Sequence, residues 1–134
     1  MLGTRSFEDA PARSRATTGR GLSIQAWNLV ANFAELDKVM TVERQDRVRE
    51  THPELAFARL AGPPMPSSKR TAAGRAERIA IVGPPPATPR GAAADDVLDA
   101  MALARSAAAM VTGDAWRVGD GAVDERGLRM EIWG

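Results

Sequence analysis

A chain of 134 residues with 18 Lys plus Arg against 17 Asp plus Glu, net +1, has room for one ordinary domain with a single core. Its field is too weak to gather nucleic acid or an anionic membrane by itself. The lack of cysteine removes disulfides, thiol catalysis and thiolate zinc sites, and a single histidine removes multi-histidine metal centres. No apolar run is long enough to span a bilayer and the N-terminus carries no secretion-type apolar stretch, so the expectation is a soluble, cytoplasmic protein without a membrane partner. Arginine makes up 16 of the basic residues and alanine 25 of all positions, a bias that GC-rich codon usage produces without functional demand.

From Met1 to Gly21 the only sizeable apolar side chains are Leu2 and Phe7 among scattered arginines, which predicts a disordered or loosely attached segment ahead of a domain over 22–134. Between Leu22 and Met40 the apolar positions Leu22, Ala26, Leu29, Phe33, Leu36 and Met40 recur at helical spacing, flanked by Trp27, Val30 and Ala34. This is the clearest amphipathic helix in the chain. The run Asp46 to His52 reads as a short strand, and Pro53 suits the first turn of a helix through Leu60, stopped by Gly62 and the prolines after it. Thr71 is the expected N-cap of a helix to about Val82, ended by Gly83 and three prolines. A long alanine-rich helix should follow from about Ala93 to Val111, with Val97, Met101, Ala104 and Ala108 as its buried stripe and Gly113 closing it. Finally, Leu128, Met130 and Ile132 alternate with Arg129, Glu131 and Trp133 in strand fashion, after an Asp120-Gly121 turn.

Four helices and two or three short strands do not make a self-sufficient sheet. The pattern therefore reads as the C-terminal part of an α/β domain, mostly helical here, whose main sheet comes from other sequence. An apolar helix face left without that sheet calls for a partner chain or a second copy.

Chemistry concentrates at the head of the long helix, where Asp95, Asp96 and Asp99 fall within a turn and a half. Asp99 shares a face with each of the other two, so three like charges crowd together. Unpaired N–H groups and the helix dipole offset part of that repulsion. Two acids suffice for capping, and the third admits a divalent cation or a basic partner. Both readings stay open at this point.

Five blocks in order carry a family resemblance: Gly21 to Leu29, Glu50-Thr51-His52-Pro53-Glu54-Leu55-Ala56-Phe57, Ser68 to Thr71 with Gly74 to Arg78, Ala94 to Ala100, and Arg126 to Trp133. Together they resemble the family called domain of unknown function 429, described as predicted nucleases with a ribonuclease H-like fold. The resemblance spans roughly residues 20 to 134 and implies the C-terminal part of a ribonuclease H-like domain. The helix from Asp96 to Ala102 is also similar to the Asp-x-x-Asp-Ala helix that supplies the last metal-binding acids in Holliday-junction resolvases. By this resemblance Asp95, Asp96 and Asp99 would hold Mg²⁺ or Mn²⁺, Lys69 and Arg75 would contact phosphate, and Glu50 and His52 would orient water or neighbouring acids, all on a nucleic acid substrate. The family's early strand with its aspartate, and its later Asp-x-Pro-x-Gly-Leu strand, are missing from this sequence. The expectation is therefore a nuclease-like chain, weakly active or inactive alone, or else a non-catalytic remnant serving as an interaction module.

The residues admit plainer roles. His52 and Glu50 read equally as a capping histidine and a surface glutamate, and Glu54 as a dipole partner. Lys69, Arg70, Arg75 and Arg78, with Glu77 among them, suit either a phosphate clamp or a solvated helix face. Trp27, Trp116 and Trp133 read as core. No P-loop, dinucleotide glycine motif, Ser-His-Asp constellation or zinc spacing occurs.

Overall fold

The computed structural model describes residues 7–134, and the chain divides into two compact units between Thr41 and Val42. In the first, α1 (Ala10–Thr18), α2 (Ile24–Asn28) and α3 (Val30–Val39) follow one another. The stretch expected to be disordered or loosely attached is thus helical from Ala10 to Thr18. Pro11 opens that helix, Gly19 closes it at φ 74°, and the Ser14 hydroxyl donates to the Arg20 carbonyl at 2.8 Å.

The single helix expected from Leu22 to Met40 is two. Ser23 caps α2 by accepting from the Ala26 N–H at 3.1 Å. At Leu29 the N–H bonds to the Ala26 carbonyl, three residues back, at 3.2 Å, and α3 starts after it. Asn28 and Val30 on either side favour helix only weakly. The face differs from the expected one in its middle: Leu22, Ala26 and Met40 of the stripe are half-buried together with the flanking Trp27, Val30 and Ala34, whereas Leu29, Phe33 and Leu36 stand in solvent, Phe33 at 55% exposure. The flanking residues and the ends of the stripe supply the packing side, and Leu29, Phe33 and Leu36 are left outward.

The second unit is built on α4 (Pro53–Ala61), α5 (Ala72–Val82) and α6 (Ala94–Thr112). All three fall where the apolar spacing, Pro53, Thr71 and the terminal glycines put them. The Thr71 hydroxyl accepts from the Gly74 N–H at 3.0 Å, and Gly62, Gly83 and Gly113 close their helices at positive φ. Ala56, Phe57, Val82, Leu98 and Ala102 form the buried core, with Leu60, Ile79 and Met101 against it. The expected stripe on α6 is corrected here. Leu98, Ala102, Ser106 and Ala109 are buried, while Ala104 and Ala108 are exposed and Val97 and Met101 half-buried. So many alanines make every face of this helix nearly equally apolar, and the placement of Leu98 decides which turns inward. Arg105 crosses from α6 to donate to the Ile81 and Val82 carbonyls at 3.2 Å each, satisfying the open end of α5.

Beyond α6, β1 (Arg117–Val118) pairs antiparallel with β2 (Ile132–Trp133), and Trp116 and Gly134 exchange backbone bonds at 2.9 and 3.0 Å to extend the ladder. The strand expected over Asp46 to His52 does not form. Arg44–Asp46 is a 3₁₀ turn, and only Thr51 makes a parallel bridge, to Trp133. A strand needs a neighbour along its length, and β2 offers two residues. The expected strand from Leu128 likewise shortens, because Asp124 ties the Arg126 and Leu128 N–H groups to its carboxylate and holds that stretch in a turn. Asp120 does the same to Ala122 at the expected Asp120-Gly121 turn. The described residues are thus mostly helical with one small two-stranded sheet, compatible with an α/β assignment.

Candidate functional site

The head of α6 shows what each aspartate does. Asp96 turns back on the chain, its Oδ2 accepting from the Ala93 N–H at 3.0 Å, half of a capping box. Asp95 and Asp99 face the loop before α5, where Lys69 Nζ lies 2.7 Å from Asp99 Oδ2 and 3.6 Å from Asp95 Oδ2. The Asp99 side chain is only 13% exposed, and its Oδ1 is buried without a hydrogen-bond partner. The hydrogen bond from Lys69 to Asp99 raises the lysine pKa above its usual 10.5, burial opposes, and the charges of Asp99 and Asp95 add to the rise. Lys69 is therefore a fixed cation through the neutral range.

The position of Lys69 follows from the buried polar group beneath it. Arg78 on α5, 2% exposed, makes two 2.8 Å bonds to the Glu54 carboxylate on α4, donates to the Ser67 and Gly74 carbonyls at 3.1 and 2.9 Å, and lies over the Phe57 ring at 5.3 Å. A guanidinium so placed staples α4, α5 and the incoming loop together. Ser67 is held a second time, by Glu77, through its N–H and its hydroxyl at 3.3 and 2.6 Å. Gly74 lets the loop pass over the helix, since a Cβ there would strike the Ser67 and Ser68 backbone. Arg78 thus leaves the solvated or phosphate-contacting face expected for it, and Arg75 and Arg70 remain on the exposed side.

The other expected residues gather elsewhere. His52 is the N-cap of α4, its Nδ1 accepting from the Glu54 N–H at 3.3 Å. Glu50 is exposed, and its carbonyl accepts from the Trp133 N–H at 2.8 Å. The structure brings Lys69 to Asp95 and Asp99, and among the described residues no three His, Asp or Glu side chains converge as a metal-binding group.

A second polar centre escaped the sequence reading. The Glu131 carboxylate, 10% exposed, has Oε1 at 3.1 Å from Arg49 Nη1, 3.0 Å from Trp133 Nε1 and 3.5 Å from Arg129 Nε, and Oε2 at 3.6 Å from Arg117 Nη1. Arg129 Nη2 also reaches Asp46 at 2.8 Å, and that bond holds the Asp46 carboxyl below its usual pKa. The signal was the alternation Arg129, Glu131, Trp133, which puts all three on one side of the ribbon. Its partners Arg49 and Arg117 lie 82 and 14 positions from Glu131 in sequence and no local pattern points to them. Trp116, expected in the core, is exposed.

The fold is that of a mostly helical protein with a small ribbon, and its polar side chains form a carboxylate–lysine cluster and an arginine–carboxylate cluster. The chain belongs to the family described as Protein of unknown function (DUF429), whose family model matches residues 1–123. That match includes the N-terminal residues outside the five blocks noted above and ends before the last of them. No curated protein and no solved structure matches the chain.

Proposed function

We propose that this chain is the helical portion of a metal-dependent nuclease domain of ribonuclease H-like type, weakly active or inactive by itself. The observation that carries this reading is the convergence of two carboxylates, from successive turns of α6, on one cationic nitrogen, with Asp99 Oδ1 buried beside it and unpartnered. Such a donor set fits one hard cation, Mg²⁺ or Mn²⁺, which one or two carboxylates hold with water and substrate oxygens. It does not fit two cations, because that requires acids from separate elements converging on ions about 4 Å apart. The remaining acids would come from a further segment or a partner chain. When bound, the cation supplies charge stabilisation at a phosphoryl oxygen. Asp96 keeps the helix head ordered through the Ala93 N–H, and Lys69, released from Asp99, reaches phosphate together with exposed Arg75. Glu50 and His52, flanking the start of α4, would orient water or the incoming acids.

Calorimetric titration of the full chain with Mn²⁺ tests this. Binding should be saturable, lost in Asp99→Asn, and tightened severalfold in Lys69→Met, which removes the competing ammonium; Asp96→Asn should lower thermal stability with little change in affinity. Absence of Mn²⁺ binding in both wild type and Lys69→Met would overturn the reading. The alternative, a non-catalytic interaction module that pairs with a partner chain or a second copy, is favoured by the outward Leu29, Phe33 and Leu36.

A further inference from the structure

The arginine cluster on the ribbon holds more donor capacity than it uses. Three guanidiniums, from Arg49, Arg117 and Arg129, face two carboxylates, Glu131 and Asp46, which leaves a local excess of positive charge. Glu131 Oε1 is already shared by Arg49 and Trp133. The 3.6 Å approach of Arg117 to Oε2 and the 3.5 Å approach of Arg129 Nε to Oε1 are too long to count as hydrogen bonds. Arg129 Nε is buried without an acceptor. Arg117, with its side chain 56% exposed, opens the cluster to solvent.

Arg117 makes no hydrogen bond to Glu131, and with three guanidiniums for two carboxylates the cluster can take a second anion. A phosphoryl group has enough oxygens, at the right spacing, to accept from two planar forks at once. We propose that the ribbon carries a phosphate-binding site made by Arg117 and Arg129 with Arg49 behind them. Glu131 acts there as the internal acceptor that holds the arginines in place. The Arg49 guanidinium lies 5.0 Å from the Trp133 ring centroid, and the ring bonds to the same Glu131 oxygen, so occupancy is felt at Trp133. The proposal is independent of any cation at α6.

The test uses the full chain carrying Trp27→Phe and Trp116→Phe, in chelator-containing buffer, with Trp133 fluorescence followed during titration with inorganic phosphate. The expected result is a saturable change that chloride does not reproduce, weakened at least tenfold by Arg117→Ala and unchanged by Arg90→Ala, an exposed arginine elsewhere on the unit. A short single-stranded oligonucleotide separates the sources: tighter binding than phosphate identifies a phosphodiester ligand, and phosphate alone identifies a free phosphoryl group. An unsaturable signal, one matched by chloride, or one that Arg117→Ala leaves intact would overturn the site. Arg117 is exposed enough that its removal leaves the fold standing, which circular dichroism of the variant verifies.

Discussion

The helices α2 and α3 and the helices α4 to α6 carry the same kind of sequence, an apolar stripe at helical spacing, and meet opposite fates. On α4 to α6 the stripe is covered by neighbouring helices, so Phe57, Val82 and Leu98 reach full burial. On α2 and α3 the large apolar side chains Leu29, Phe33 and Leu36 remain exposed, and the neighbouring Ala26, Trp27, Val30 and Ala34 do the packing. A one-sided pattern therefore specifies a helix and a preference for cover, while the cover itself has to come from other elements.

The sharpest way to break this comparison is to truncate a phenylalanine in each region. Phe57→Ala should cost about 3–5 kcal/mol, the loss of a fully buried ring and the cavity it leaves. Phe33→Ala should stay within about 0.5 kcal/mol of wild type. Urea unfolding of both variants, followed by circular dichroism, checks the pair, and equal losses would mean that the α3 face is covered in solution.

Arg78→Ala sharpens the account of how the covered region is held. It removes a buried guanidinium that has both Glu54 oxygens, the Ser67 loop carbonyl and the Gly74 carbonyl of α5 as partners, and leaves the Ser67 carbonyl short of a donor. Because Glu54 stays partly hydrated, the expected loss lies at the lower end for a broken buried pair, about 3 kcal/mol. The same urea titrations measure it.

The smallest effect is electrostatic. Lys69 has a folded pKa raised by Asp99, so its contribution to stability is complete below 10.5 and is lost as pH rises through the higher folded value. Asp46 has a folded pKa lowered by Arg129, so its contribution is present above 3.8 and disappears as pH falls through the lower folded value. Melting temperatures across pH should show Lys69→Met flattening the alkaline limb.

Much of the second unit was legible in the residues. Pro53, Thr71 and the glycines at 62, 83 and 113 mark helix ends by local chemistry, so α4, α5 and α6 lie within a residue or two of their expected bounds. The strand over Asp46 to His52 was misread because a short run ahead of Pro53 resembles a strand whether or not a partner lies beside it. The α6 acids were recognised as a cluster, but their separate duties were not. Asp96 is spent on a neighbouring N–H, whereas Asp99 depends on a lysine thirty positions away.

By itself the sequence determined α4, α5 and α6 with their ends, the Asp120-Gly121 turn, and the crowding of charge at the head of α6, because each follows from groups a few residues apart. Tertiary structure alone decided which alanines of α6 turn inward, that Arg78 is buried against Glu54, and that Arg49, Arg117 and Arg129 meet at Glu131. Those outcomes depend on contacts between elements distant in the chain, and a buried charge is tolerated only where such contacts supply its partners.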